Sequence, residues 1–190
     1  MTITRQESDT QLMRRVQAGD LDRLAELYRR HHAGLRGFLF RICGDAAGAD
    51  DLVQTVFLRI LRHRKHFRGQ GSFAAWMYRI ARNSALDRIK SEKLRSPAPF
   101  PGGNNEPRDP HPDAESCARH RERLDILEEA FRRLSRGERE VLSLSKIDGL
   151  SGREIAAILG CSAGAVKVRV FRAMGELRRL VRSMENGVLP

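Results

Sequence analysis

Six of the seven prolines of this 190-residue chain lie between Ser96 and Ser116, and this clustering limits its possible architectures more than any other feature. The same segment holds Gly102-Gly103 and Asn104-Asn105. A segment of this composition buries too little apolar surface to form a core, which predicts an extended, mobile linker. The sequence is therefore divided into two modules, residues 1–95 and 116–190, joined by a linker at residues 96–115.

The N-terminal module has apolar residues at helical spacing. One stripe follows Asp20, a good N-cap, and ends at Gly44; it consists of Leu21, Leu24, Tyr28, Leu35, Phe38 and Ile42. A second helix is predicted after Asp50-Asp51, whose carboxylates suit the positive end of a helix dipole, and a third after Ser72.

The C-terminal module shows the same periodicity together with helix-start signals. Ser135-x-x-Glu138 and Ser151-x-x-Glu154 each predict a capping box. No strand-like alternation occurs in either module. The sequence predicts an all-α fold of two small helical domains.

The charge of the chain indicates a polyanionic partner. The formal net charge is +11, and basic residues outnumber acidic ones in both modules, whereas the linker is acidic. This layout suits a protein that contacts nucleic acid at two places. The widely spaced Cys43, Cys117 and Cys161, and an N-terminus without an apolar signal-peptide core, lead us to expect a cytoplasmic protein.

The residues from Ser151 to Val170 have the pattern of a helix-turn-helix. Gly160 suits a tight turn, and Ser162 can cap a long second helix. The predicted buried stripe of that helix leaves an outward face made of Ala163, Gly164, Lys167, Val168, Phe171 and Arg172, with Arg169 at its boundary. This face predicts DNA recognition; an ordinary αα-hairpin with a solvated basic face is the alternative.

A second nucleic-acid signal lies in the N-terminal module. No acidic residue occurs between Leu52 and Leu86, where basic and aromatic residues are interleaved. Single-stranded nucleic acid is bound by such a combination, since cations follow the backbone and rings stack on bases. Arg79, Arg82 and Asn83 share one predicted helix face.

The aromatic residues of this stretch divide into two groups. Phe57, Phe73 and Trp76 fall on apolar stripes and are expected in the core. Phe67 lies in a loop rich in glycine, and we predict that it contacts a base.

Other chemistry has little support in the sequence. His63 and His66 are three residues apart but have no nearby carboxylate or cysteine to complete a metal site, so solvated or phosphate-facing histidines are the favoured interpretation. Phosphate-binding glycine motifs and a nucleophile elbow are absent. We predict no enzyme activity, no cofactor and no small-molecule substrate.

Three motifs together resemble a known family. Residues 50–60 (DDLVQTVFLRI) resemble region 2.2 of bacterial sigma factors, residues 73–89 (FAAWMYRIARNSALDRI) resemble regions 2.3 and 2.4, and residues 134–180 resemble region 4. Two such modules without region 1.1 or region 3 are similar to the extracytoplasmic-function (ECF) subfamily. The resemblance implies a factor that binds core RNA polymerase and directs promoter-specific transcription initiation.

The resemblance also implies a role for each module. The helix at Leu52–Leu61 would dock on the β′ coiled coil of core RNA polymerase, which holds the factor together with the β subunit, through Asp51, Gln54 and Arg59. The N-terminal module would recognise and open the minus-ten element through Phe67, Arg79, Arg82 and Asn83.

The C-terminal module would read the minus-thirty-five element of promoter DNA in the major groove. Its contacts would be Lys167, Arg169 and Arg172, with Ala163 and Gly164 at the helix start. An anti-sigma factor is a further partner that the resemblance implies.

Three positions depart from the family pattern: Thr55 stands where Glu is usual, His31 where Tyr is frequent, and Ser135 where Pro is usual. The alternative function is an autonomous helix-turn-helix regulator that binds operators without polymerase. A nucleic-acid enzyme is a more distant alternative, since it would need carboxylate or His/Cys clusters.

Overall fold

The computed structural model describes residues 7–69, 71–95 and 114–186, and all regular elements within these ranges are helices. The all-α prediction is confirmed. Residues 96–113, most of the predicted linker, lie outside the described residues. The N-terminal module consists of α1 (Asp9–Gln17), α2 (Asp22–Cys43), α3 (Ala46–Arg62), a 3-10 turn (Arg64–His66) and α4 (Phe73–Arg95).

The C-terminal module consists of α5 (Ala114–Arg133), α6 (Arg136–Leu142), a π turn (Ser143–Ile147), α7 (Gly152–Leu159) and α8 (Ala163–Glu185). In this module α8 packs against α5, α6 and α7. Burial of their apolar faces stabilises the module, at about 25 cal/mol per Å² removed from water. Its core includes Leu142, Leu144, Ile155, Val166 and Ala173.

The core of the N-terminal module lies between α2 and the other three helices. α2 packs against α1, α3 and α4, and α3 also packs against α4. The largest fully buried side chains there are Leu12, Leu27, Phe38, Ile60, Phe73 and Met77. Their spacing on each helix is the apolar periodicity seen in the sequence.

Two predicted helix starts in the N-terminal module are wrong. The carboxylate of Asp20 accepts hydrogen bonds from Arg15 and Arg23 instead of capping a helix, and α2 begins two residues later at Asp22. The next helix begins at Ala46, four residues before Asp50, because Asp45 caps it by accepting a hydrogen bond from the amide of Gly48 at 3.0 Å.

The other predicted starts and ends are confirmed. Both capping boxes form, with Ser135 and Ser151 each bonded reciprocally to the glutamate three residues on. Ser72 and Ser162 accept hydrogen bonds from the first turns of α4 and α8. Gly160 has a φ of 66°, a left-handed conformation that favours glycine, and makes the turn between α7 and α8.

The two modules are in direct contact in the structure. α4 packs against α7, and α2 packs against α6 and the π turn. The sequence gave no expectation of this contact. Among the described residues, no helix combines the length and the apolar character that crossing a membrane requires.

Candidate nucleic-acid interface

The C-terminal module presents the helix-turn-helix that the sequence predicts. Ile155 and Ile158 of α7 and Val166 of α8 are buried where the two helices pack. The tight turn at Gly160 brings the end of α7 close to the start of α8, and Ser162 caps α8 through the amide of Ala165 at 3.1 Å. The outward face of α8 is thereby held rigidly by the buried one.

All predicted contact residues on α8 are exposed. They are Ala163, Gly164, Lys167, Arg169 and Arg172. The same surface carries two apolar side chains, Val168 at 50% exposure and Phe171 at 78%. No acidic residue occurs in α8 before Glu176. A rigid, basic helix face with exposed apolar groups has the chemistry of a major-groove reader, which needs cations for phosphates and methyl-sized contacts for thymine.

The predicted minus-ten face lies on α4, where Arg79 and Asn83 are exposed and Arg82 is half-buried. These residues are spaced three and four apart, so they lie on one side of the helix. The Nε of Arg82 donates a hydrogen bond to Oε1 of Glu140 in the C-terminal module, at 2.7 Å. Arg82 is therefore held by the other module.

Phe67 does not have the exposure that we predicted. It is 5% exposed and packs against Phe73 and Trp76, with ring centroids 6.2 and 5.3 Å away. Its backbone carbonyl accepts a hydrogen bond from Gln17, which ties the loop to α1. The loop glycines give Phe67 a path back into the core, so glycine-rich flanks did not indicate an exposed ring. In this conformation Phe67 cannot stack on a base, and we correct that prediction.

The predicted polymerase contacts lie on α3. Asp51 and Gln54 are exposed, and Arg59 is half-buried with its Nη1 3.3 Å from Oδ2 of Asp87. Thr55 donates a hydrogen bond to the carbonyl of Asp51 at 2.9 Å, so its side chain is engaged by its own helix.

An apolar groove beside these residues was not predicted. It runs between α2 and α3 and is lined by Leu21, Leu24, Ala25, Tyr28, Gln54, Phe57, Leu58 and Leu61. Leu58 is 64% exposed although it is a large aliphatic residue. Its position outside the buried stripe of α3 was the available signal.

The contact between the modules centres on Asp148, whose side chain is only 4% exposed. Its Oδ1 accepts a hydrogen bond from Oη of Tyr78 at 2.9 Å, and its Oδ2 lies 3.3 Å from Nη2 of Arg41. Arg41 also donates to Oγ of Ser143 at 2.8 Å. Burial raises the pKa of Asp148 and of Tyr78 and lowers the pKa of Arg41.

Glu154 forms another link between the modules. Its carboxylate closes the capping box of α7 and accepts a hydrogen bond from Ser72 at the start of α4. The hydrogen bonds from Ser72 and then Ser151 lower the pKa of Glu154.

The described residues contain no group of three or more His, Cys, Asp or Glu side chains placed to hold a metal ion. The rings of His63 and His66 lie 5.7 Å apart. His31 has its Nε2 2.6 Å from Oδ2 of Asp9, so its partner is a residue of α1.

The same two modules match known families. The model of sigma-70 region 2 matches residues 27–95, and that of sigma-70 region 4 matches residues 124–177. The chain is a sigma factor. It therefore directs promoter-specific transcription initiation by RNA polymerase, as the sequence resemblance implied.

Similar proteins identify the subfamily of this sigma factor. It is 32% identical to the RNA polymerase sigma factor CarQ of Myxococcus xanthus, over 91% of this chain and 97% of CarQ. It is 30% identical to the ECF RNA polymerase sigma-E factor of Escherichia coli K12, over 90% of this chain and 93% of that protein. The factor belongs to the ECF subfamily.

Solved structures have the same fold. CnrH in complex with the cytosolic domain of CnrY has a TM-score of 0.66 and 26% identity, covering 93% of this chain and 99% of CnrH. The sigma factor RpoE of Bartonella quintana, in complex with the anti-sigma factor NepR, has a TM-score of 0.68 and 24% identity, covering 83% and 96%.

Proposed function

We propose that this sigma factor acts through three surfaces, on α3, α4 and α8. The observation that carries the proposal is that the predicted contact residues of α8, without exception, are exposed on a rigid face whose only charges are positive as far as Glu176. The proposed domains are residues 1–95 for polymerase binding and the minus-ten element and residues 116–190 for the minus-thirty-five element, joined by residues 96–115.

The α3 surface is the proposed docking site for the β′ coiled coil of core RNA polymerase. Asp51, Gln54 and Arg59 supply polar contacts, and the groove around Leu58 supplies apolar area. Apolar burial contributes affinity, whereas the polar groups set the register of the docked helices. The β subunit is the second proposed polymerase contact.

The α4 surface is the proposed minus-ten reader. Arg79 and Arg82 can neutralise phosphates of the opened strand, and the amide of Asn83 can hydrogen-bond a base edge. Extruding a base costs a few kcal/mol, which a pocket can offset only for the right base. Phe67 has no part in this surface because it is buried.

The α8 surface is the proposed minus-thirty-five reader. Lys167, Arg169 and Arg172 project from it, and Ala163 and Gly164 leave room for the backbone to approach phosphates at the helix start. Each good bidentate base contact would give about 1–3 kcal/mol of discrimination.

The proposal includes the cellular setting. The factor works in the cytoplasm, carries no reaction chemistry of its own and needs no cofactor. An anti-sigma factor is a proposed partner, because the structural neighbour RpoE is described in complex with the anti-sigma factor NepR.

The test is co-elution of the purified factor with core RNA polymerase that lacks its own sigma factor. We expect a stable complex and, with it, run-off transcription from the DNA upstream of the factor's own gene. Absence of binding by the folded protein would contradict the proposal. Tight binding of the isolated factor to duplex DNA would instead support an operator-binding regulator.

A further inference from the structure

We infer that the contact between the two modules is an autoinhibitory latch, closed in the free factor and opened for promoter binding. The latch consists of Arg41 and Tyr78 against Asp148, together with the pairs Arg82–Glu140 and Ser72–Glu154. Each of these contacts joins a residue of the N-terminal module to one of the C-terminal module. The inference rests on the proposed roles of α4 and α8.

The local structure places Asp148 at the contact. The amide of Asp148 donates to the carbonyl of Ser143 at 2.8 Å, five residues back, which closes the π turn, and Gly149 follows with a φ of 68°. π turns are rare and are found frequently at functional sites. The carboxylate is directed at Tyr78 and Arg41 as a result.

The chemistry of the latch favours an all-or-none closure. The Asp148 carboxylate is almost fully shielded from water and is stabilised there only by Tyr78 and Arg41 of the other module. A buried charge or hydroxyl without its partner is costly. When the modules separate, water replaces these partners, so both the closed and the open forms are chemically satisfied, and a half-open form is not.

The closed form covers one DNA-binding surface and leaves the other free. Glu140 neutralises the guanidinium of Arg82, and its carboxylate would repel a phosphate brought to the same place. The contact residues of α8 and the groove beside α3 remain exposed. The closed factor can therefore be captured by polymerase, while its minus-ten surface is blocked.

Promoter geometry requires the latch to open. The two elements that the modules are proposed to read lie about 25 base pairs apart, or about 80 Å at 3.4 Å for each base pair. In the structure the modules touch, with Tyr78 and Asp148 joined by a hydrogen bond of 2.9 Å. A closed factor cannot occupy both elements at once.

The test compares full-length Asp148→Ala and Tyr78→Phe variants with the wild type in the absence of polymerase. Asp125→Ala is the matched control, because it removes an exposed carboxylate from α5 of the same module. Small-angle X-ray scattering measures the radius of gyration. Fluorescence anisotropy measures binding to the labelled non-template strand of the promoter upstream of the factor's own gene.

We expect Asp148→Ala to increase the radius of gyration and to tighten binding to the strand at least fivefold. Tyr78→Phe, which removes one hydroxyl, should have a smaller effect in the same direction, and Asp125→Ala should stay within twofold of the wild type. Circular dichroism confirms that each variant remains helical.

Two results would overturn the inference. An unchanged radius of gyration in both variants would mean that these contacts do not hold the modules together. A larger radius with unchanged affinity for the strand would mean that closure does not inhibit. Transcription by wild-type holoenzyme is measured in parallel; its absence would refute the proposed function itself, and the latch with it.

Discussion

Leu58 allows the proposed docking surface on α3 to be tested separately from the stability of the fold. It is 64% exposed, borders the groove between α2 and α3, and lies one turn after Gln54. We predict that Leu58→Ala weakens binding to core RNA polymerase and leaves the folded protein intact. The reason is that the side chain loses little apolar burial in the free factor and gains it on docking.

The expected size of the effect follows from the exposed area. Full burial of a leucine side chain contributes about 1.5–3 kcal/mol, and about two thirds of Leu58 is still exposed. Burial of the remainder at the interface therefore contributes about 1–2 kcal/mol. This corresponds to a rise in the dissociation constant of about 5- to 30-fold. A surface truncation of this kind changes the free energy of unfolding by about 0.5 kcal/mol or less.

The assay titrates core RNA polymerase into factor labelled at its N-terminus, without DNA. Val168→Ala is the control, since it shortens another half-exposed aliphatic side chain, on the DNA-facing side of α8. The ratio of the two dissociation constants, for Leu58→Ala and wild type, should persist at high salt because the lost contact is apolar. A change below twofold with normal thermal stability would refute the docking surface.

Three further predictions follow from the other surfaces and from the core. Asn83→Ala should slow promoter opening without weakening polymerase binding, which permanganate footprinting and co-elution measure; an unchanged promoter preference would argue against a base contact. Lys167→Ala should reduce transcription from promoters that carry the minus-thirty-five element, and should lower the log–log salt slope of binding by about 1 if the contact is to phosphate. Equal use of promoters with and without the element, in both proteins, would contradict that role. Cys43 should resist alkylation at pH 8, because burial raises the pKa of its thiol to about 11 from 9.0 and lowers the thiolate population about a hundredfold. Mass spectrometry after iodoacetamide treatment, with urea-unfolded protein as the control, measures this; equal rates in the two states would show that the thiol is not shielded.

The sequence predicted the C-terminal module in more detail than the N-terminal one. Both capping boxes, the turn at Gly160 and the exposed face of α8 were read from residues that lie close together in the chain. Local hydrogen bonds and helical periodicity determine these features, so the local sequence is sufficient to predict them.

The errors in the N-terminal module arise from competition between partners. Asp20 has a good residue type for a cap, but Arg15 and Arg23 bind its carboxylate. Asp45 was available to start α3 earlier than Asp50. A sequence pattern gives the candidates for a cap and does not show which arginine lies nearby in space.

The burial of Phe67 and the contact between the modules depend on distant residues. Phe67 packs on Phe73 and Trp76, which follow a loop of uncertain length in any sequence-based interpretation. Asp148 meets Tyr78 across 70 residues of chain. Pairings at such separations leave no periodic signal in a single sequence, which is why the site on α4 was predicted without its cover.

The π turn after α6 makes the geometry of the C-terminal module sensitive to chain length. An α-helix rotates about 100° for each residue, so the deletion of one residue from Ser143–Ile147 would let α6 continue regularly and swing Asp148 away from Tyr78. The apolar faces of α7 and α8 could still pack on each other. A relative that is one residue shorter between Glu140 and Gly149 would thus keep the helix-turn-helix while losing this carboxylate contact, and an alignment gap at this point would separate factors of otherwise similar sequence into two regulatory types.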